Sequence, residues 1–249
     1  ISDSNAHFKA FTGLKKLEYR GYDSWGIAFK SCDGIEVYKA VGKINAPEKG
    51  TLNHNSYASI AHTRWATHGK VTIENAHPHT SNDKSIAIVH NGIMENYQEV
   101  KQQLQKKGFT FYSETDTEVL ANLIQLKVAE KKNFVEGVRA ALGEVEGSYA
   151  ILALHKDTYE MVAAKNGSPL ALGIGNNELF AASDVAAFLP YTKTAVYLND
   201  FEMAVLGADL KVLDVKTGKE LQYKKKQILW TIEQAEKGNY EHFMRKEID

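Results

Sequence analysis

The residues best suited to chemistry fall between Ala61 and Asn96. Within eight consecutive positions, His62-Thr63-Arg64-Trp65-Ala66-Thr67-His68-Gly69, stand a guanidinium, an indole, two hydroxyls and two imidazoles, directly after the run Tyr57-Ala58-Ser59-Ile60-Ala61. An arginine flanked by hydroxyls suits a carboxylate or a phosphate, because its planar fork donates two parallel hydrogen bonds to either. A second polar stretch, His90-Asn91-Gly92, follows Ile86-Ala87-Ile88-Val89. An Asn-Gly pair at a strand end can aim a side-chain amide and a bare backbone N–H at one point, and two such donors make an oxyanion hole. Both stretches are expected to be short loops after buried strands.

Each feature also has a plainer reading. Asn-Gly after a strand is first of all a turn signal, and an isolated arginine is more often half of a surface ion pair. Asp116 lies between two threonines just before the helical run Glu118 to Ile124, where an N-cap or first-turn carboxylate is expected. Five of the nine histidines fall between His62 and His90, so His77-Pro78-His79 could be drawn with His62 or His90 as metal ligands. No acidic residue or second cysteine has matching ligand spacing, so neither metal nor cofactor is expected. What favours a shared site over these separate readings is the closeness of the two polar stretches.

The elements that must hold them can be read along the chain. Ser2, Asp3 and Ser4 offer an N-cap to a helix with Ala10, Phe11, Leu14 and Leu17 on one face, ending near Tyr19. Ile27-Ala28-Phe29 and Ile35-Glu36-Val37-Tyr38 flank a hairpin turn, Ser31-Cys32-Asp33-Gly34, and residues 42 to 55 read as irregular. A helix over 97–107 and a short strand over Phe109 to Tyr112 follow, then two ordinary amphipathic helices, 117–130 and 134–142. From Ser148 onward short alternating runs are broken by turn residues: 149–154, 159–164, 170–174, 178–182, 195–198, 203–206, 210–215 and 221–223. Hairpin-linked strands with helices grouped in sequence predict an α+β fold built on antiparallel sheet.

Several of these segments together resemble one family. His62 to Gly69, Asn75-Ala76-His77-Pro78-His79, Val89 to Asn96 and Ser113-Glu114-Thr115-Asp116-Thr117-Glu118-Val119 are similar to the glutaminase domain of glutamine–fructose-6-phosphate aminotransferases. So are Leu17 to Ser24, Gly147-Ser148-Tyr149-Ala150, Asn166 to Leu170 and Ala182-Ser183-Asp184, so the resemblance runs the length of the chain. It implies a four-layer sandwich of two antiparallel sheets between helical layers, of the N-terminal nucleophile hydrolase type. It also implies hydrolysis of L-glutamine to glutamate and ammonia by an N-terminal cysteine whose own α-amino group serves as base. Arg64 would hold the α-carboxylate, with Thr67 and His68 lining that end, and Asp116 would take the α-ammonium. Asn91 and Gly92 would form the oxyanion hole, Trp65 would gate the ammonia path, and Arg20 and His77 would support the cysteine and the closed loop.

One departure from the family pattern bears on activity. The sequence begins at Ile1, its one cysteine is Cys32, and about six residues of the family pattern would precede Ile1. Either a nucleophile lies upstream, or the chain binds glutamine without hydrolysing it, as a regulatory module. Cys32 sits in a predicted turn beside Asp33 and lacks a base held against it, so it reads as inert. By the same resemblance residues 1–239 form the glutaminase domain, and residues 240–249 begin a link to a sugar-phosphate isomerase domain. Fructose 6-phosphate would be the ammonia acceptor there, and the full-length protein is expected to be a homo-oligomer.

Composition is compatible with this. At 249 residues, 43% hydrophobic and 24% charged, the chain can bury a large core, and nothing marks it as disordered or fibrous. A net charge of −1, with no basic block beyond Lys224-Lys225-Lys226, argues against nucleic acid or anionic membrane as partner. A lone cysteine excludes an internal disulfide, and no run approaches the ~18 apolar residues of a spanning helix, so a cytoplasmic location is expected.

Overall fold

The run from Ile86 to His90 sets the architecture, because both of its faces are buried. Ile86 and Ile88 pack among helices, whereas Ala87 and Val89, pointing the other way, pack against a second layer of sheet. The computed structural model describes residues 1–2, 5–45, 55–65 and 69–229, with the backbone but not the side chain of Arg20.

In chain order the elements are α1 (Ala6–Lys16), β1 (Ser24–Ser31), β2 (Gly34–Val41), β3 (Ser59–Arg64), β4 (His79–Thr80), β5 (Ile86–Met94), α2 (Tyr97–Lys106), α3 (Asp116–Lys131) and α4 (Phe134–Leu142). Then come β6 (Gly147–His155), β7 (Met161–Asn166), β8 (Ala171–Ile174), β9 (Leu179–Ala182), β10 (Thr194–Tyr197), β11 (Glu202–Leu206), β12 (Leu210–Asp214), β13 (Glu220–Leu221) and β14 (Lys226–Gln227). All the strand pairs are antiparallel.

A seven-stranded sheet, β13-β12-β11-β7-β6-β5-β4, forms one layer, and β2-β1-β3 with β14-β10-β8-β9 form the facing one. The core between them contains Ala28, Ile60, Val89, Leu154, Leu172 and Val196. Helices α2, α3 and α4 cover the outer face of the large sheet through Leu104, Leu120, Ile124 and Val138. On the far side α1 packs Phe11 and Leu14 against Trp25 and Ile27 of β1. The expected α+β sandwich with four layers is therefore present, its second sheet layer divided into a three- and a four-stranded piece.

Local readings were corrected in physically instructive places. His90, Asn91 and Gly92 continue β5, so the second stretch is not the expected loop, and His62, Thr63 and Arg64 continue β3, so the first begins as strand; residues 66–68 lie outside the described residues. The N-cap of α1 is Asn5, in a left-handed conformation without a side-chain cap bond, while Ser2 turns away to bond Glu178. Asp3, Ser4, residues 46–54 and the segment from Trp230 onward, including the predicted link at 240–249, lie outside the described residues.

Phe109 to Tyr112 is no strand. Its backbone is satisfied by side chains instead: Thr110 N–H donates to Asn82 Oδ1 at 2.8 Å, and Asn82 Nδ2 donates back to the Thr110 carbonyl at 2.8 Å. Helix α3 is more than amphipathic, since Thr117 to Ile124 is buried on every side between the large sheet and its sister helices. That depth matters, because the N-terminus of α3 meets the edge of β5.

Candidate active site

The period of a strand decides which way each polar residue of β5 points. Asn91 shares the face of Ala87 and Val89, toward the space between the sheet layers, whereas His90 shares the face of Ile88, toward α3. On the opposing layer Ile60, His62 and Arg64 of β3 point into the same space. Arg64, Asn91, Gly92 and Asp116 line one cavity of about 680 Å³, together with His62 and Trp65.

The backbone N–H groups of β5 alternate between its two edges. Glu95 donates to Glu146 on the β6 side, whereas Met94 donates to Asp116 Oδ2 at 2.8 Å on the other side, as Ile86 does to Ser81 Oγ at 3.1 Å. Gly92, two residues before Met94, therefore presents its N–H on the edge away from β6, beyond the end of β4. There it faces the region that Asp116 also approaches.

Asp116 is the first residue of α3, and Thr115 is the N-cap, its hydroxyl accepting from Glu118 N–H at 3.4 Å. Asp116 is thus a first-turn carboxylate, one of the two expected placements, and its side chain reaches back to β5. Its Oδ1 accepts the Thr117 hydroxyl at 3.3 Å. Arg64 is buried at the end of β3, with Nη1 3.9 Å from Asp23 Oδ1 and donating to the Lys70 carbonyl at 3.4 Å. Asn75 and Glu114 fix that loop: Asn75 Nδ2 donates to Lys70 O at 2.9 Å and to Glu114 Oε2 at 3.1 Å, and Glu114 N–H returns a bond to Asn75 Oδ1.

Four imidazoles stand at this wall, His62, His77 and His90 lining the cavity and His79 beside them. The Thr117 hydroxyl joins three groups: it lies 2.8 Å from His77 Nε2, 3.2 Å from His90 Nδ1 and 3.3 Å from Asp116 Oδ1. His79 Nε2 bonds the Thr115 hydroxyl at 3.0 Å, and the rings of His62, His77 and His79 meet edge-on at 4.2 and 4.9 Å. Burial pushes all four rings toward the neutral form: His77 and His79 fall well below the ordinary histidine value and His62 drops to about 4. For His90 burial also lowers the pKa, with the Asp116 carboxylate opposing it. Among the described residues no group of three or more His, Cys, Asp or Glu is placed to hold a metal ion.

Of the other anticipated residues, Trp65 is two-thirds exposed and lies over the Gly21 backbone, where an added Cβ would stand 2.2 Å from Cε3. Arg20 belongs to a 3-10 turn, Glu18–Arg20, at the end of α1. Thr67 and His68 lie outside the described residues. Cys32 is exposed on the β1–β2 turn and does not line the cavity. Reasoning from sequence missed Thr117, Asn75 and Glu114; each lies in a segment already marked by the family resemblance, but its partners are 27 to 40 residues away in sequence.

Residues 62–190 match the family model described as a glutamine amidotransferase domain, a span that holds Arg64, Asn91, Gly92 and Asp116. The chain belongs to the glutamine amidotransferase family. Curated relatives include proteins named glutamine–fructose-6-phosphate aminotransferase [isomerizing]. The one from Methanosarcina acetivorans is 50% identical over 246 residues, covering 94% of this chain and 40% of the relative. One from Thermus thermophilus is 45% identical over 247 residues, covering 98% of this chain and 40% of the relative. This amidotransferase chain thus spans about 40% of the length of those relatives. Among solved structures, glutamine phosphoribosylpyrophosphate amidotransferase from B. subtilis, in complex with ADP and GMP, aligns with a TM-score of 0.74 at 27% identity. That alignment covers 87% of this chain and 48% of the other.

Proposed function

We propose that this amidotransferase chain is the glutamine-hydrolysing part of a glutamine–fructose-6-phosphate aminotransferase, and that the cavity between the sheet layers binds L-glutamine. The observation that carries the reading is that one cavity is lined by two neutral donors of β5, the Asn91 amide and the Gly92 N–H, by the buried Arg64 guanidinium on the opposing layer and by the Asp116 carboxylate. Arg64 takes the α-carboxylate, Asp116 the α-ammonium, and Thr67 and His68 belong to the carboxylate end. Opposite charges at the two ends orient the amino acid. Trp65 gates the cavity mouth, and Arg20 and His77 support the closed loop and the nucleophile. The ammonia passes to fructose 6-phosphate on a sugar-phosphate isomerase domain of the same polypeptide, beyond the domain of residues 1–239, and the full-length protein is a homo-oligomer.

In the chemistry, a thiolate attacks the side-chain amide carbon and the carbonyl oxygen takes the negative charge. Donors already aimed at that oxygen stabilise it without reorganising. The α-amino group of the attacking cysteine takes the thiol proton and passes it to the amide nitrogen, so that collapse expels ammonia and leaves a γ-glutamyl thioester. Water then adds, the thiol leaves with its proton and glutamate is released. The thiol belongs to a cysteine upstream of Ile1. Supporting this, β3 and β9 are both edge strands, and the chain start lies between them: Ile1 and Leu179 exchange backbone bonds at 2.9 and 3.0 Å, and Ser2 N–H donates to Tyr57 O at 2.8 Å. Ile1 and Ser2 both line the cavity.

The test uses the full-length protein with its native upstream residues. Treatment with 6-diazo-5-oxonorleucine is expected to add one label on a cysteine preceding Ile1 and to abolish glutamate release. Glutamine bound in calorimetry, with no label and no glutamate, would instead establish a binding module. In the same protein Arg64→Ala is expected to raise the KM for glutamine roughly 10- to 150-fold, the worth of a hydrogen-bonded charge. An unchanged KM would remove Arg64 from the site.

A further inference from the structure

We propose that His62 is a positioning residue for Asn91: its Nε2–H holds the Asn91 carbonyl oxygen and thereby turns the amide N–H2 toward the reacting oxygen. This deepens the reading of Asn91 as an oxyanion donor and rests on it. A primary amide has two ends of similar size and opposite polarity, and a half-turn about its last torsion exchanges them. Facing a developing oxyanion, the N–H2 end stabilises and the oxygen end repels. A donor fixed at the oxygen decides between them.

His62 supplies that donor. Its Nε2 lies 2.8 Å from Asn91 Oδ1, across the space between β3 and β5. The neutral ring has one N–H, and only the tautomer protonated at Nε2 attracts the oxygen; protonated at Nδ1, it would set a lone pair against a lone pair. Burial, with the neighbouring Arg64 guanidinium and His90 also opposing charge, keeps the ring neutral. His62 Nδ1 is buried and makes no hydrogen bond, and of the two acceptors that favour a proton on the ring, the Asn91 side chain and the His90 backbone, Asn91 has the larger effect.

The ring is itself held. Its edge-on contact with His77, at 4.2 Å between centroids, ties it to the ring whose Nε2 bonds the Thr117 hydroxyl beside Asp116. The end of the cavity assigned to the amide is thus braced through His62 and His77 against the end assigned to the ammonium.

Glutaminase kinetics of the full-length protein test this. His62→Phe keeps a ring against His77 but removes the donor, and is expected to lower kcat roughly 10- to 100-fold, at most the ~10²- to 10³-fold that an oxyanion donor supplies, with KM changed less than about threefold. His62→Gln, whose amide nitrogen can take the place of Nε2, is expected to recover most of that loss. If His62→Phe does not fold, His62→Leu carries the same comparison. In an Asn91→Ala background the donorless substitution is expected to cost nothing further, because the amide it orients is gone. The same kcat loss in that background, a loss appearing in KM instead, or no recovery by His62→Gln would each overturn the positioning role. Should Asn91→Ala alone leave kcat intact, the oxyanion reading itself fails, a result distinct from the others.

Discussion

Lowering the pH from 7 to 5 is expected to reduce the folding stability of this domain, at up to ~1.4 kcal/mol per pH unit for each proton taken up only on unfolding. His62, His77 and His79 are the source. In the folded chain their pKa values lie at about 4 for His62 and well below the ordinary value for the other two, with burial the largest cause in each. In the unfolded chain all three take up protons as the pH passes below about 6.5. The unfolded state therefore binds more protons than the folded one between about 6.5 and 4, so stability is retained above that window and falls as the pH drops through it. Lys39 and Arg64 reinforce the effect as neighbouring positive charges, and the Asp116 carboxylate opposes it at His90. Against the ~5–15 kcal/mol stability of a typical domain, even one such proton is a measurable loss. Urea unfolding at pH 7, 6 and 5 measures it, and His79→Gln should flatten the slope by about one proton. Equal midpoints at pH 7 and 5 would mean these rings titrate freely in the folded chain.

That dependence ties the fold to the site. The three rings and His90 form part of the wall that carries Asn91 and Asp116: His77 and His90 bond Thr117, His79 bonds Thr115 and His62 bonds Asn91 itself. Acid is thus expected to disable the cavity at the pH where the domain begins to open, because the same protons drive both events.

How much of this could be read in the sequence depended on how local the cause was. Turn chemistry and period-2 runs are local, so the β1–β2 hairpin and the strands from β6 to β12 lie within a few residues of expectation. Asn91-Gly92 misled because its turn propensity is local, while the pairing that overrides it, Asn91 with Ala150 and Gly92 with Tyr149, spans more than fifty residues. Phe109 to Tyr112 has strand-like residues but meets the side chain of Asn82 where a partner strand would lie. In the site, Arg64, Asn91, Gly92 and Asp116 stood out because their side chains or backbone have few structural uses in that combination. Thr117 did not, since a threonine in the first turn of a helix is commonplace. Its role arises only when β4 and β5 bring His77 and His90 to its hydroxyl.

Gly92→Ala is expected to destabilise the domain by roughly 3–5 kcal/mol, the sum of a left-handed backbone forced on alanine and an overpacked strand. Gly92 has φ +139°, and a Cβ there would stand 2.1 Å from the Ser148 carbonyl oxygen and 2.9 Å from Tyr149 Cα. Those atoms are the backbone of β6, so no rotamer relieves the clash and the two strands must separate at that point. Gly34, in the β1–β2 turn, provides the control: φ is +125°, yet nothing lies within 4 Å of its added Cβ. Gly34→Ala should cost only the conformational part, about 1–2 kcal/mol. Parting β5 from β6 would also swing the Gly92 N–H away from the cavity, so turnover should fall even in conditions where the variant remains folded. Urea unfolding of both variants, with glutaminase assays of the full-length protein at low urea, checks both halves. Equal destabilisation at Gly34 and Gly92 would show that the close approach of β6 contributes nothing. Full turnover in folded Gly92→Ala would show that this N–H does not serve the reaction.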